Sequence, residues 1–195
     1  MKAFGLTGGV GMGKTTVAGF LADRGARVLD TDVVARQQVA PGEPALEEIQ
    51  RTFGSGVITP DGRLRREELA RIVFADPAAR HQLEHILHPR IRQVWQQQLE
   101  DWRAAGQKLA VVVIPLLFET QAEGHFDHII CAACRPASQQ ERLAARGWTP
   151  EQMARRIAAQ LPIEQKMARS HYVLWTEGQL ESTVRQVELI LTKAE

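Results

Sequence analysis

Lys14 and Thr15 close the run Gly8-Gly9-Val10-Gly11-Met12-Gly13-Lys14-Thr15, which fits G-x-x-x-x-G-K-[ST] at every specified position. The chemistry such a run performs is triphosphate binding. Glycine lets the backbone curl and turn its N–H groups toward an anion with no Cβ in the way. Lys14 is then expected to reach the β- and γ-phosphates, and the Thr15 hydroxyl to hold Mg²⁺. Gly9, Val10, Gly11, Met12, Gly13 and Thr16 complete the expected phosphate contacts. A Gly-rich turn that binds nothing would not require the lysine and the threonine together.

Further groups lie along the chain. Asp30-Thr31-Asp32 sets two carboxylates at the end of an apolar run. Beside a triphosphate they read as a general base together with a Mg²⁺ contact, direct or through water. The competing reading makes Asp32 the N-cap of a helix starting at Val33. Pro115-Leu116-Leu117-Phe118-Glu119 offers apolar residues and one acid as a wall of an acceptor pocket, or else plain core packing. Arg142, Arg146, Arg155 and Arg156 are dense enough to form a lid whose guanidinium groups meet phosphoryl oxygens, or to be solvated helix faces. His81-Gln82-Leu83-Glu84-His85 matches the zinc pattern H-x-x-E-H, but no third ligand is identifiable and exposed helix charges explain it better. Cys131 and Cys134 form a lone C-x-x-C and read as small buried residues.

The elements that must position these groups alternate between strand and helix. Lys2–Thr7, Ala26–Asp30, Leu109–Ile114, Asp127–Ala133 and His171–Trp175 read as strands, the third an apolar run suited to a sheet buried on both faces. The first strand, the glycine loop and a helix carrying Val17, Phe20 and Leu21 give the order the motif demands, with a helix N-terminus at the phosphate site. Between Val33 and Trp102 the pattern is helical with breaks at Pro41-Gly42 and Pro60-Asp61-Gly62, and Pro89 should kink or restart its helix. Asp76-Pro77 and Thr149-Pro150-Glu151-Gln152 are helix starts, the second a capping box. Leu180 to Leu191 forms a last amphipathic helix.

At 195 residues, with 44% hydrophobic and 24% charged content, the chain suits one soluble unit. A net charge of +1 gives no field that would favour nucleic acid or an anionic membrane. No apolar run approaches bilayer length, a signal peptide is not expected ahead of a strand at Lys2, and two cysteines make no disulfide framework. The cytoplasm is the expected location. Oligomeric state is not legible.

The order of phosphate loop, Asp30-Thr31-Asp32, Leu87-His88-Pro89, Pro115-Leu116-Leu117-Phe118-Glu119, Gln140-x-Arg142-Leu143-x-x-Arg146 and Arg156-Ile157-x-x-Gln160 resembles the dephospho-coenzyme A kinase family over nearly the whole chain. The resemblance implies an α/β phosphate-loop kinase of the nucleoside-monophosphate-kinase type with a five-stranded parallel sheet. It implies a core at about 1–32, 105–135 and 170–195, a helical acceptor region at about 33–104 and a helical lid at about 136–169. ATP, carried with Mg²⁺, would phosphorylate the ribose 3′-hydroxyl of dephospho-CoA. Asp32, Lys14 and Arg142 would be catalytic, with Arg142 and Arg146 also on ATP. Asp32, His88 and Pro115–Glu119 would face the acceptor. The family's A-D-x-V-I-x-N-x-G segment is replaced by Ser170-His171-Tyr172-Val173-Leu174-Trp175-Thr176-Glu177-Gly178, with His171 at the acid and Thr176 at the amide. Another small-molecule kinase is the alternative. A regulatory GTPase is disfavoured because no N-K-x-D and no D-x-x-G after the third strand are found.

Overall fold

Five short segments become five parallel strands in the computed structural model, which describes residues 1–194. They are β1 (Lys2–Gly8), β2 (Arg27–Asp30), β3 (Leu109–Val113), β4 (His128–Ala133) and β5 (Tyr172–Trp175), in the order β2-β3-β1-β4-β5. β1, β3 and β4 are buried almost throughout, as central parallel strands must be. β2 and β5 form the edges, and Val173 and Trp175 accordingly keep exposure. The register pairs Leu6 with Val113, Asp30 with Val113, Gly8 with Ala132 and Ala133 with Trp175. The phosphate loop, Asp30, Ile114-Pro115, Cys134 and Thr176 therefore leave the sheet at one edge.

The backbone divides into two compact units, Met1–Asp30 with Leu99–Glu195, and Thr31–Gln98. In the first, α1 (Lys14–Ala22) and α9 (Leu180–Lys193) cover one face of the sheet. Val17 and Leu21 from α1, with Val187 and Ile190 from α9, pack on Phe4, Leu6, Val111, Ile130 and Leu174. Near the other face, α8 (Ile163–Arg169) packs against β1 and β4, following α6 (Pro136–Ala144) and α7 (Pro150–Ala158). The capping box at α7 forms: the Gln152 N–H donates to Thr149 Oγ1 at 3.3 Å, and the Thr149 N–H to Gln152 Oε1 at 3.0 Å.

The second unit holds α2 (Thr31–Gln38), α3 (Pro44–Phe53), α4 (Arg66–Ala75) and most of α5 (Pro77–Ala104) around Leu46, Ile49, Val57, Leu69, Val73 and Ile86. Asp76 Oδ1 accepts the Ala78 N–H at 2.8 Å and starts α5. The restart expected as one outcome at Pro89 does not occur, because α5 continues through it from Pro77 to Ala104. Proline removes one N–H and crowds the preceding turn. The Arg90 guanidinium bridges that turn, donating to the Ile86 carbonyl at 2.5 Å and to Glu48 at 2.7 Å.

Candidate active site

Gly8 ends β1 where the chain has least room. A Cβ there would lie 2.2 Å from the Ala132 carbonyl oxygen, inside any tolerable contact, and φ is +141°. The loop that follows returns on itself, the Met12 N–H donating to the Gly9 carbonyl at 3.2 Å. Gly13, at φ +80°, is the N-cap of α1, and no side chain bonds the helix start. The helix N-terminus with its outward N–H donors and positive dipole end thus opens at the sheet edge. Thr15 and Thr16 are exposed there. Lys14 curls over the loop, its ammonium donating to the Gly8 carbonyl at 3.0 Å and the Gly9 carbonyl at 2.9 Å. A cation is thereby held over a ring of glycine backbone.

The segment after β5 closes on this loop. Thr176, only 7% exposed, donates its hydroxyl to the Met12 carbonyl at 3.2 Å. Arg142 of α6 donates to that hydroxyl at 2.9 Å and to the Thr176 carbonyl. Glu177 accepts the Arg135 N–H at 2.6 Å and the Ser138 hydroxyl at 3.1 Å, which holds the carboxyl below the usual glutamate range. Thr176 and Glu177 therefore join the phosphate loop to the start and middle of α6. Arg142 is fastened to this joint, while Arg146 lies exposed just past the helix end. His171 accepts the Ile129 N–H at its Nδ1, 2.9 Å away, and so serves the pairing of β4 with the start of β5.

Pro115–Glu119 leaves β3 at the same edge. Leu117 and Phe118 are buried, Leu117 toward Gly5 of β1 and Phe118 beneath the Arg169 guanidinium, 4.4 Å from the ring centre. The open wall expected of this segment narrows to Pro115, Leu116 and Glu119, which retain exposure. Glu119 Oε1 accepts the Leu161 N–H at 2.8 Å and meets Lys166 Nζ at 2.8 Å. Lys166 is completely enclosed and also donates to the Pro115 carbonyl at 2.6 Å, which takes the Thr7 hydroxyl at 3.2 Å. Neither Lys166 nor Gln139, which donates to the Val10 carbonyl at 2.7 Å, stood out in the sequence. The only available signal was a polar residue on the apolar side of a short helix.

In the second unit, α2 begins at Thr31, so exposed Asp32 sits in its first turn and does not cap a helix starting at Val33. His88 is half-buried on α5, and burial lowers its pKa below 6.5, Glu84 opposing and Arg92 assisting. His81 and His85 are exposed, with His81 Nδ1 3.3 Å from Glu84. Among the described residues no three His, Cys, Asp or Glu side chains cluster as a metal cage. Cys131 and Cys134 are buried and unpaired by any disulfide, and burial pushes the Cys131 thiol up to about 11. No helix is long and apolar enough to cross a membrane, among the described residues.

Comparison with known proteins agrees with this geometry. The sequence model of the family described as dephospho-CoA kinase matches residues 2–182. A dephospho-CoA kinase of Moorella thermoacetica is 45% identical over 185 residues, covering 94% of this chain and 87% of that protein. A solved structure from Thermus thermophilus superposes with a TM-score of 0.82 at 34% identity, covering 98% of this chain and 97% of the other. The dephospho-CoA kinase structure from Campylobacter jejuni shares the fold, with a TM-score of 0.71 at 22% identity over 99% and 97% of the two chains. The chain is an α/β phosphate-loop kinase with a five-stranded parallel sheet, and it belongs to the dephospho-CoA kinase family.

Proposed function

We propose that this chain is a dephospho-CoA kinase that moves the γ-phosphoryl group of ATP to the ribose 3′-hydroxyl of dephospho-CoA, giving coenzyme A and ADP. The observation that carries the reading is a complete phosphate loop at the sheet edge of a chain matched to the family over residues 2–182. Backbone N–H groups of the loop and of the start of α1, other than those of Val10 and Met12, which Gln160 and the Gly9 carbonyl engage, hold the β- and γ-phosphates, and Lys14 adds its charge where negative charge develops. Arg142, held beside the loop through Thr176, and Arg146 bear on the phosphoryl oxygens as lid arginines. Asp32 accepts the proton of the 3′-hydroxyl as its oxygen forms a bond to the γ-phosphorus and the bond to the β-bridging oxygen breaks. His88, Pro115, Leu116 and Glu119 face the acceptor in this reading, with Leu117 and Phe118 as the packing behind them.

Thr15 and Asp30 offer hard oxygen donors, which suits Mg²⁺ arriving with the triphosphate and keeping several waters. Thr15 would hold the ion, with Asp30 or Asp32 reaching it through water. When bound, it neutralises charge across the β- and γ-phosphates. The location is cytoplasmic in this reading.

The test is purified protein with Mg²⁺-ATP and dephospho-CoA, CoA being measured directly beside shikimate, nucleoside monophosphate and sugar acceptors. CoA formation selective for dephospho-CoA, reduced about 10²–10⁴-fold by Asp32→Asn, is expected for loss of a general base. Equal or better turnover of another acceptor would overturn the substrate assignment.

A further inference from the structure

Val10 is the one phosphate-loop residue whose backbone is held from both sides by side chains. Its N–H donates to Gln160 Oε1 at 3.0 Å, and its carbonyl accepts from Gln139 Nε2 at 2.7 Å. The two glutamines come from different places. Gln139 is buried in α6, 6% exposed. Gln160 is half-buried between α7 and α8, just past the end of α7 and two residues before the Pro162 that caps α8.

The neighbouring glycines leave the space that this bracket needs. A Cβ on Gly9 would meet Gln139 Nε2 at 3.3 Å, and one on Gly11 would come within 3.0 Å of Leu143 on α6. The loop is therefore fitted to α6 on one side while it opens to the phosphate on the other.

A glycine-rich loop needs such support. Its backbone has more freedom to lose than any other. Yet its N–H donors act on developing charge only if they stand in place beforehand. Glutamine suits both positions because one side chain must accept and the other must donate.

We propose that Gln139 and Gln160 are positioning residues that preset the phosphate loop by holding the two polar groups of Val10, and that Gln160 is the link through which the α7–α8 segment sets affinity for the triphosphate. The affinity half rests on the loop being the ATP site. The backbone half does not.

The difference between accepting and donating supplies the test. Glutamate at position 160 still accepts the Val10 N–H, and leucine cannot. Glutamate at position 139 loses the donor and sets a carboxylate against the Val10 carbonyl. Amide exchange at Val10 is followed by NMR on the full chain, and ATP and ADP binding by calorimetry, for wild type, Gln160→Glu, Gln160→Leu, Gln139→Leu and Gln139→Glu. Protection of Val10 should persist in Gln160→Glu and fall in Gln160→Leu by about two- to twelve-fold, the span of one ordinary hydrogen bond.

Gln160→Leu should raise the ATP KM by about the same factor and leave the dephospho-CoA KM unchanged. Gln139→Glu should bind ADP more weakly than Gln139→Leu. Unchanged Val10 exchange in Gln160→Leu overturns the bracket. Faster exchange with an unchanged ATP KM overturns the link to affinity. If Lys14→Ala leaves ATP binding intact, the site assignment fails instead, and the exchange result still decides the bracket.

Discussion

Replacing Lys166 by methionine tests the enclosed ion pair behind the sheet edge. Lys166 has no exposure, and its ammonium serves both Glu119 and the Pro115 carbonyl. Without it, Glu119 keeps one backbone donor, from Leu161, while its Oε2 already has no partner. Removing one member of a buried pair costs about 3–5 kcal/mol, because a charge stays behind uncompensated. The Glu119 side chain is 20% exposed, so the lower part of that range applies, about 3–4 kcal/mol. For a chain of this size each kcal/mol moves the melting temperature by about 2–4 °C, giving a fall of about 6–16 °C. The double variant Lys166→Met/Glu119→Gln retains an acceptor for the Leu161 N–H and leaves no charge behind. It should recover at least about 1 kcal/mol relative to the single lysine variant. The assay is urea unfolding of wild type, both single variants and the double, completed as a thermodynamic cycle. A loss below about 1 kcal/mol for Lys166→Met, or simple additivity in the double variant, would refute the reasoning.

Three other perturbations have defined outcomes. Lys14→Ala should lower kcat by about 10²–10³-fold with the fold intact, as for other charge-stabilising groups, and near-normal kcat would remove the phosphate-loop assignment. His88 binds a proton more weakly folded than unfolded, since burial lowers its pKa from 6.5. Its contribution is therefore present above that value and is lost as pH falls below it, so His88→Gln should flatten the decline in stability between about pH 7 and pH 5 on denaturant titration. With its thiol pushed up to about 11, Cys131 should resist a thiol-specific chromophore at about pH 8 and react only once the chain is unfolded; fast labelling of the native protein would contradict its burial.

The three central strands were legible because parallel strands buried on both faces are written as largely apolar runs, and the two edge strands were legible as short β-branched and aromatic or aliphatic stretches. All five lie within a residue of where Lys2–Thr7, Ala26–Asp30, Leu109–Ile114, Asp127–Ala133 and His171–Trp175 put them. Caps at Asp76 and Thr149 were equally plain, each being a short-range bond between neighbours. Pro89 carries a local penalty that is visible in sequence, yet it does not restart the helix, since α5 continues through it. Leu117 and Phe118 carry no mark that separates a pocket wall from core, since apolar residues serve both. Lys166 and Gln139 escaped for the opposite reason. A lysine or glutamine on a short helix normally faces water, and only the partners brought by Pro115, Glu119 and Val10 keep these two inside.

The strand order has a consequence for the moment at which this protein becomes able to bind anything. β1 is synthesised well before its partners, since Lys2 waits for Leu109 and Phe4 for His128. β2 is no better placed, since Arg27 pairs with Ala110. At about 5–20 residues per second a ribosome needs roughly 5–20 s to cover that separation. Throughout that interval the glycine run lacks the partner that Gly8 is seated against at Ala132, and the Thr176 bond to Met12 comes later still. Loop closure over such distances also slows folding of the finished chain. The phosphate loop is thus spelled well before the residues it is seated against, so its native setting waits for β4 and for the segment after β5.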